Sequence, residues 1–256
     1  MNKALASALA AYRQYRAAKA KSRVYKIARY LFVSMAAAYF LLLIFPQVLF
    51  AHEISHGNAA VYSREPLDQN IQAVLDKAEA RLATSEINTQ EVKPKIFFTN
   101  GFKLYSFLSL YIGGNSFGKG YPLLPTNNIF INQTDVANDL VLRRAPANNE
   151  RSLSGVIAHE TTHLLIRKRY GYWRNFTMPT WKKEGYAEYM AGGSTLAYET
   201  GVKMWKENPK DGTGYQYFKY YMLVKYLLEQ DKLSVDDLFN RDFDLVVLEE
   251  KVLKSL

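Results

Sequence analysis

The sequence predicts an α+β body behind a single N-terminal transmembrane helix. Three observations carry that expectation. Residues 30–51, "YLFVSMAAAYFLLLIFPQVLFA", form a 22-residue run without a charge. Short strand-like runs fall in the first half of the chain beyond it. Long helix-like runs dominate the second half, so helix exceeds strand and the two are partly segregated.

The run over 30–51 meets the length of about 20 apolar residues that a bilayer core demands of a helix. No polar face recurs at helical spacing, which argues against a buried core helix. Pro46 near its far end is compatible with a span. Residues 1–29 hold eight basic residues and no acidic one. This arm reads as cytoplasmic, with the residues from 52 onward outside. It also reads as a basic helix lying near anionic lipid. The basic region is long for a signal sequence, and no A-x-A site precedes Ala51. An uncleaved anchor is therefore expected. The organisation is a cytoplasmic arm over 1–29, an anchor over 30–51 and an extracytoplasmic domain over 52–256.

The net charge of +9 resides almost wholly in the arm. The rest of the chain is near neutral, which gives no footprint for a nucleic-acid partner. There is no cysteine, so thiolate metal sites, disulfides and a cysteine nucleophile are excluded.

Along the body, "AAVYSR" alternates like a short strand. Residues 66–87 place Ile71, Val74, Leu75, Ala78 and Leu82 on one helical face, with Pro66 at the expected start. "KPKIFFTN" and "NIFIN" read as strands, and "DLVLRR" as a further one. "FKLYSFLSLYIGG" reads as a helix. Residues 113–128, "GGNSFGKGYPLLPTNN", carry the main loop signal, and no phosphate-loop pattern accompanies their glycines. Helices are expected over 155–169, from about Thr180, over 213–231, and in "SVDDLF" and "LVVLEEKVL". "GYWRNFTMPT" reads as a connection.

The chain has four histidines, and two H-E-x-x-H motifs use all of them. The first, "HEISH" over 52–56, directly follows the apolar run. Gly57-Asn58 comes next, so a helix is expected to stop there, with polar residues meeting headgroups. The second, "HETTH" over 159–163, has a complete helical context. Ser152 or Ser154 supplies a cap, Arg167, Lys168 and Arg169 occupy the last turn, and Gly171 follows. On that helix His159 and His163 share one face, a spacing that lets two imidazoles close on one tetrahedral zinc. Glu160 lies about 100° round the helix and addresses a water rather than the metal's shell.

A catalytic zinc ordinarily has three protein ligands and one open position. No third histidine remains, so the third ligand is expected to be a carboxylate on a later element. The candidate segment is "TWKKEGYAEYMAGG", where Glu184 and Glu188 lie four apart among apolar and aromatic residues. A carboxylate in such surroundings needs a partner.

H-E-x-x-H followed about twenty residues later by W-x-x-E-G-x-A-E-Y resembles the gluzincin zinc metallopeptidases, the clan of thermolysin-like and aminopeptidase-like enzymes. The matching residues are His159, Glu160 and His163, then Trp181, Glu184, Gly185, Ala187, Glu188 and Tyr189. The resemblance covers roughly 152–193. It implies a small zincin-like domain in which His159, His163 and Glu184 hold Zn2+, Glu160 is the general base, and Glu188 orients a ligand histidine. The chain is smaller than the large members and lacks the G-x-M-E-N of aminopeptidases. The implied activity is hydrolysis of a peptide or protein substrate. The rival expectation is a catalytically weak, membrane-tethered binding or assembly module, against which the retained Glu160 argues. Tyr215, Tyr217, Tyr220 and Tyr221 open a helix able to reach such a site, where a hydroxyl can stabilise an oxyanion. The sequons at Asn132 and Asn175 match glycosylation acceptors.

Overall fold

A computed structural model describes residues 3–88, 91–110, 115–121, 124–145, 148–207 and 213–256. The chain divides into two compact units, 1–48 and 49–256.

The first unit is helical. Helix α1 spans Lys3–Lys21, and α2 spans Arg23–Ile44. Ser22 caps α2 by accepting the Tyr25 amide. With a rise of about 1.5 Å per residue, α2 is long enough for a hydrocarbon core of about 30 Å. Its mean hydropathy over the most apolar window is 2.0. Its bounds differ from the expected run over 30–51. The helix begins seven residues earlier, because Arg23, Lys26 and Arg29 form its first two turns and cost it no backbone hydrogen bond. It stops at Ile44, because Phe45 precedes a proline and takes φ −121° and ψ 58°. A short 3-10 helix follows over Pro46–Leu49.

The second unit mixes helix and sheet. Its main sheet has five strands, β1 (His52–His56), β2 (Ala59–Ser63), β3 (Lys95–Phe98), β4 (Gly118–Gly120) and β5 (Asn128–Ile131). Their order is β1-β2-β3-β5-β4. The middle strands β2, β3 and β5 run parallel, while β1 and β4 are antiparallel edges. Parallel central strands are covered on both faces, which suits the unbroken apolar runs in β3 and β5. A second sheet pairs β6 (Gln133–Asp135), β7 (Leu140–Leu142) and β8 (Glu150–Ser152) in antiparallel order.

Helices α3 (Ile71–Leu82), α4 (Phe102–Ser109), α5 (Leu153–Tyr170), α6 (Tyr172–Thr177) and α7 (Thr180–Met190) follow in the chain, interleaved with these strands. After them come α8 (Tyr198–Glu207), α9 (Thr213–Glu229), α10 (Val235–Asn240) and α11 (Leu245–Lys254). One core joins the sheet face of Ile96, Phe98, Ile129 and Ile131 to α3, α5, α7 and α9.

Several expectations shift here. Helix α3 starts at Ile71 rather than near Pro66, and the buried face is the expected one. The segment expected to be loop over 113–128 contains β4. Its residues 113, 114, 122 and 123 lie outside the described ones. The expected connection 171–180 contains α6, and α8 had no counterpart among the expected elements.

"HEISH" is strand β1, not a helix end. It forms a hairpin with β2 across Gly57, whose φ is +56°. Residues i and i+4 on a strand lie about 13 Å apart, so His52 and His56 cannot share one ion. His56 Nε2 instead sits 2.6 Å from Asp76 Oδ1 on α3.

Candidate metal centre

Helix α5 runs through the core, buried at nearly every residue up to Arg167. Its start is tightly specified. Ser152 Oγ accepts the Gly155 amide at 3.1 Å, and Asp139 accepts the amide and hydroxyl of Ser154 at 2.7 and 2.9 Å. Its end is set by Gly171, with φ +82°, after the expected cationic turn. Between them, His159 and His163 project from one face, with Nε2 atoms 3.2 Å apart.

Helix α7 delivers the third group. Glu184 Oε2 lies 3.4 Å from His159 Nε2 and 3.5 Å from His163 Nε2. Gly185 makes this docking possible. A Cβ there would collide with the Tyr220 carbonyl of α9, so only glycine lets α7 and α9 approach so closely.

The triangle of His159, His163 and Glu184 could hold a metal ion. Its sides test what fits. A tetrahedral ion with bonds of about 2.0–2.1 Å spaces its ligands about 3.3–3.4 Å apart. An octahedral ion with the same bonds spaces cis ligands about 2.8–3.0 Å apart. The observed 3.2, 3.4 and 3.5 Å bring all three groups within reach of one ion. Two imidazoles with one carboxylate also suit a transition ion rather than magnesium or calcium, which prefer oxygen.

The electrostatics agree with a cation site. Burial alone would raise the Glu184 carboxyl, but the charges and hydrogen bonds of His163 and His159 outweigh it and hold it well below the usual carboxylate range. Burial alone would lower His163, but Glu184, with Glu160 adding to it, leaves its imidazole raised; Lys119 opposes them.

Glu160 is buried beside the triangle, under the edge strand β4. The Gly120 amide donates to its Oε2 at 3.0 Å. A Cβ at Gly118 would lie 2.9 Å from its Cγ and 3.0 Å from its Oε1. The glycines that marked this segment as loop thus let a strand pass over the carboxylate. Glu188, one turn beyond Glu184, is 1% exposed, with Oε1 3.4 Å from His159 Nδ1.

All five expected site residues, His159, His163, Glu184, Glu160 and Glu188, therefore meet in one cleft. Of the four tyrosines, only Tyr217 lines it. Tyr215 is buried, and Tyr220 and Tyr221 pack against the core. The sequence reading missed Arg151 and Arg167. Arg151 clamps Glu188 through both guanidinium ends, at 2.9 and 2.5 Å. Arg167 donates to the carbonyls of Tyr121, Leu124 and Thr126 and to Asn127 Oδ1, fixing the chain that leaves β4. The sequence marks Arg167 only as a last-turn cation, and no local pattern announces the contacts of either arginine, since their partners lie at least 37 residues away.

Compared with known proteins, the chain matches no family model and no curated sequence.

Proposed function

We propose that the protein is a membrane-anchored, zinc-dependent hydrolase of the gluzincin type, acting on peptide or protein substrates. The observation that carries this reading is the His159–His163–Glu184 triangle, whose three groups lie within reach of one ion, with Glu160 held just outside it. A catalytic site needs that combination of three ligands, an open side and a nearby base.

Zinc, when bound, polarises a carbonyl and lowers the pKa of a water to about 7. Glu160 takes the proton of the attacking water and returns it to the leaving amine. Its carboxylate is oriented for this by the Gly120 amide. Tyr217, lining the same cleft, offers a hydroxyl to the developing oxyanion. Among the described residues β4 pairs with β5 alone, on one side, so an extended substrate can pair along its other side. A zincin-like domain is the fold reading that accounts for these parts together.

In this reading α2 is a single membrane span. The excess positive charge before α2 and in its first two turns puts the N-terminus in the cytoplasm and the hydrolase outside.

The test is direct. The full chain, purified in detergent without chelator, is assayed for metal and for cleavage of a mixed peptide library by mass spectrometry. About one zinc per chain, with cleavage that Glu160→Gln abolishes, is expected for a single three-ligand site. Stoichiometric metal without any cleavage would instead favour the binding-module reading.

A further inference from the structure

Two glutamates approach His159 from the same helix. Glu184 Oε2 is 3.4 Å from its Nε2, and Glu188 Oε1 is 3.4 Å from its Nδ1. They lie one turn apart on α7, so backbone position alone does not say which is the metal ligand. One contact separates them. Arg151, on β8, donates to both oxygens of Glu188 and also to the Gly193 carbonyl at 2.8 Å. Among the described residues no such fork holds Glu184.

We infer that Arg151 is a positioning residue for the metal centre, acting through Glu188 on His159. This rests on the zinc reading above. The planar guanidinium matches a carboxylate in two parallel hydrogen bonds, which sets direction as well as distance. It pins Glu188 on the Nδ1 side of the ring. The Nδ1 atom is buried, with no hydrogen-bond partner within standard geometry. Among the described residues Glu188 Oε1 is the acceptor that faces Nδ1 at 3.4 Å, already within hydrogen-bond distance, and a small rotation of the ring or the carboxylate aligns an Nδ1–H with it. Nδ1–H then leaves the Nε2 lone pair facing Glu184 and His163, the orientation a metal requires.

The fork also accounts for the burial of Glu188. The Arg151 and Glu188 side chains are 12% and 1% exposed. A carboxylate so buried needs a compensating charge, and without one it would turn toward the next cation available. In this cleft a metal bound by His159, His163 and Glu184 would be such a cation, beside Lys119 and Lys183 of the lining. Arg151 thereby keeps Glu188 out of the coordination sphere and leaves the third position to Glu184. Its place in the chain fits the role. It directly precedes Ser152, the cap of α5, so β8, α5 and α7 are tied together at the start of the metal-bearing helix.

The test compares the full-length parent with Arg151→Gln, Arg151→Lys, Glu188→Gln and the double variant Arg151→Gln/Glu188→Gln. Zinc affinity is measured by competition with a chromophoric chelator, and coordination by the visible spectrum of the cobalt(II) form. Arg151→Gln is expected to weaken zinc binding about 10- to 100-fold, as outer-shell changes do, and to alter the cobalt bands. Arg151→Lys should recover part of the affinity, since it restores charge but not the fork. The double variant should bind no worse than Glu188→Gln, because Arg151 has nothing left to act through. It also removes the lone buried charge, so it reports even where Arg151→Gln folds poorly. An Arg151→Gln protein with parental affinity and spectrum overturns the inference. So do losses that simply add in the double variant. A parent that binds no metal overturns the zinc reading itself, a separate result.

Discussion

The amide of Gly120 donates to Glu160 Oε2 at 3.0 Å, across 40 residues of sequence. An edge strand thus holds the proposed base by a backbone group that only a proline at that position would remove. The neighbouring Gly118 leaves no room for a side chain against the same carboxylate.

Gly118 is therefore predicted to be intolerant. A Cβ there would also come within 3.0 Å of Val156 Cγ1. Gly118→Val should cost about 1–3 kcal/mol of stability through overpacking. It should also displace Glu160 and reduce turnover by about 100-fold or more, as loss of a general base does. Melting and peptide-cleavage rates check both. A Gly118→Val protein with parental turnover would show that β4 does not position the base.

Glu160 and Glu184 should separate cleanly. Glu160→Gln should retain metal and lose about 100- to 10,000-fold in turnover. Glu184→Ala should lose metal affinity, with activity partly restored by added zinc. His52→Ala combined with His56→Ala should leave metal content unchanged, because those imidazoles lie on strand β1. Metal analysis of these three proteins and of Glu188→Ala decides the matter. Retention of full metal by Glu184→Ala, with loss in Glu188→Ala, would reassign the ligand.

Metal affinity should depend on pH with a defined sign. His163 binds metal only when neutral, and its pKa in the metal-free site is raised above the ordinary value of about 6.5. Affinity should therefore start to fall at a pH above that value as the medium is acidified. Glu184, held low, stays charged through the same range. Stability of the metal-free protein runs the opposite way. The raised His163 contributes fully below the unfolded value and is lost as pH rises through the folded one. Metal titrations and metal-free melting curves, taken from about one unit below the ordinary histidine value to about two above it, test both slopes. A flat affinity profile contradicts the assignment of His163 as ligand.

Gly185 should link stability to metal binding. A Cβ there would collide with the Tyr220 carbonyl and lie 2.6 Å from Val224 Cγ2. Gly185→Ala should push α7 from α9, costing about 1–3 kcal/mol. It should lower zinc affinity as well, because Glu184 moves with the helix. Calorimetry and zinc competition measure the two effects; unchanged values in both would mean that the helices separate without cost.

The topology prediction is that protease added outside intact cells degrades the body of the protein, since the positive charge lies before α2 and in its first two turns. Full protection until lysis would reverse the orientation.

Local signals along the chain were enough to specify several elements. The uncharged run over 30–51 specifies an apolar helix near the N-terminus, which the fold places over Arg23–Ile44. Ser152, the apolar stretch after it, the three cations over 167–169 and Gly171 specify α5 and set its two histidines on one face. The spacing of Glu184 and Glu188 specifies one face of α7. Each of these rests on contacts within about two helical turns, which a periodic pattern records. Tertiary packing decided the rest. "HEISH" became strand β1 because β2 offers it backbone partners, a pairing that no residue type in it announces. Three residues, two of them glycine, became strand β4 because β5 supplies the ladder and α5 leaves only a glycine's room. Which tyrosine faces the cleft depends on how α9 packs on α7. Arg151 meets Glu188 across 37 residues, and Arg167 meets the chain after β4 across about as many. Such partners are fixed by the packing of distant segments, and a linear pattern carries no record of that distance.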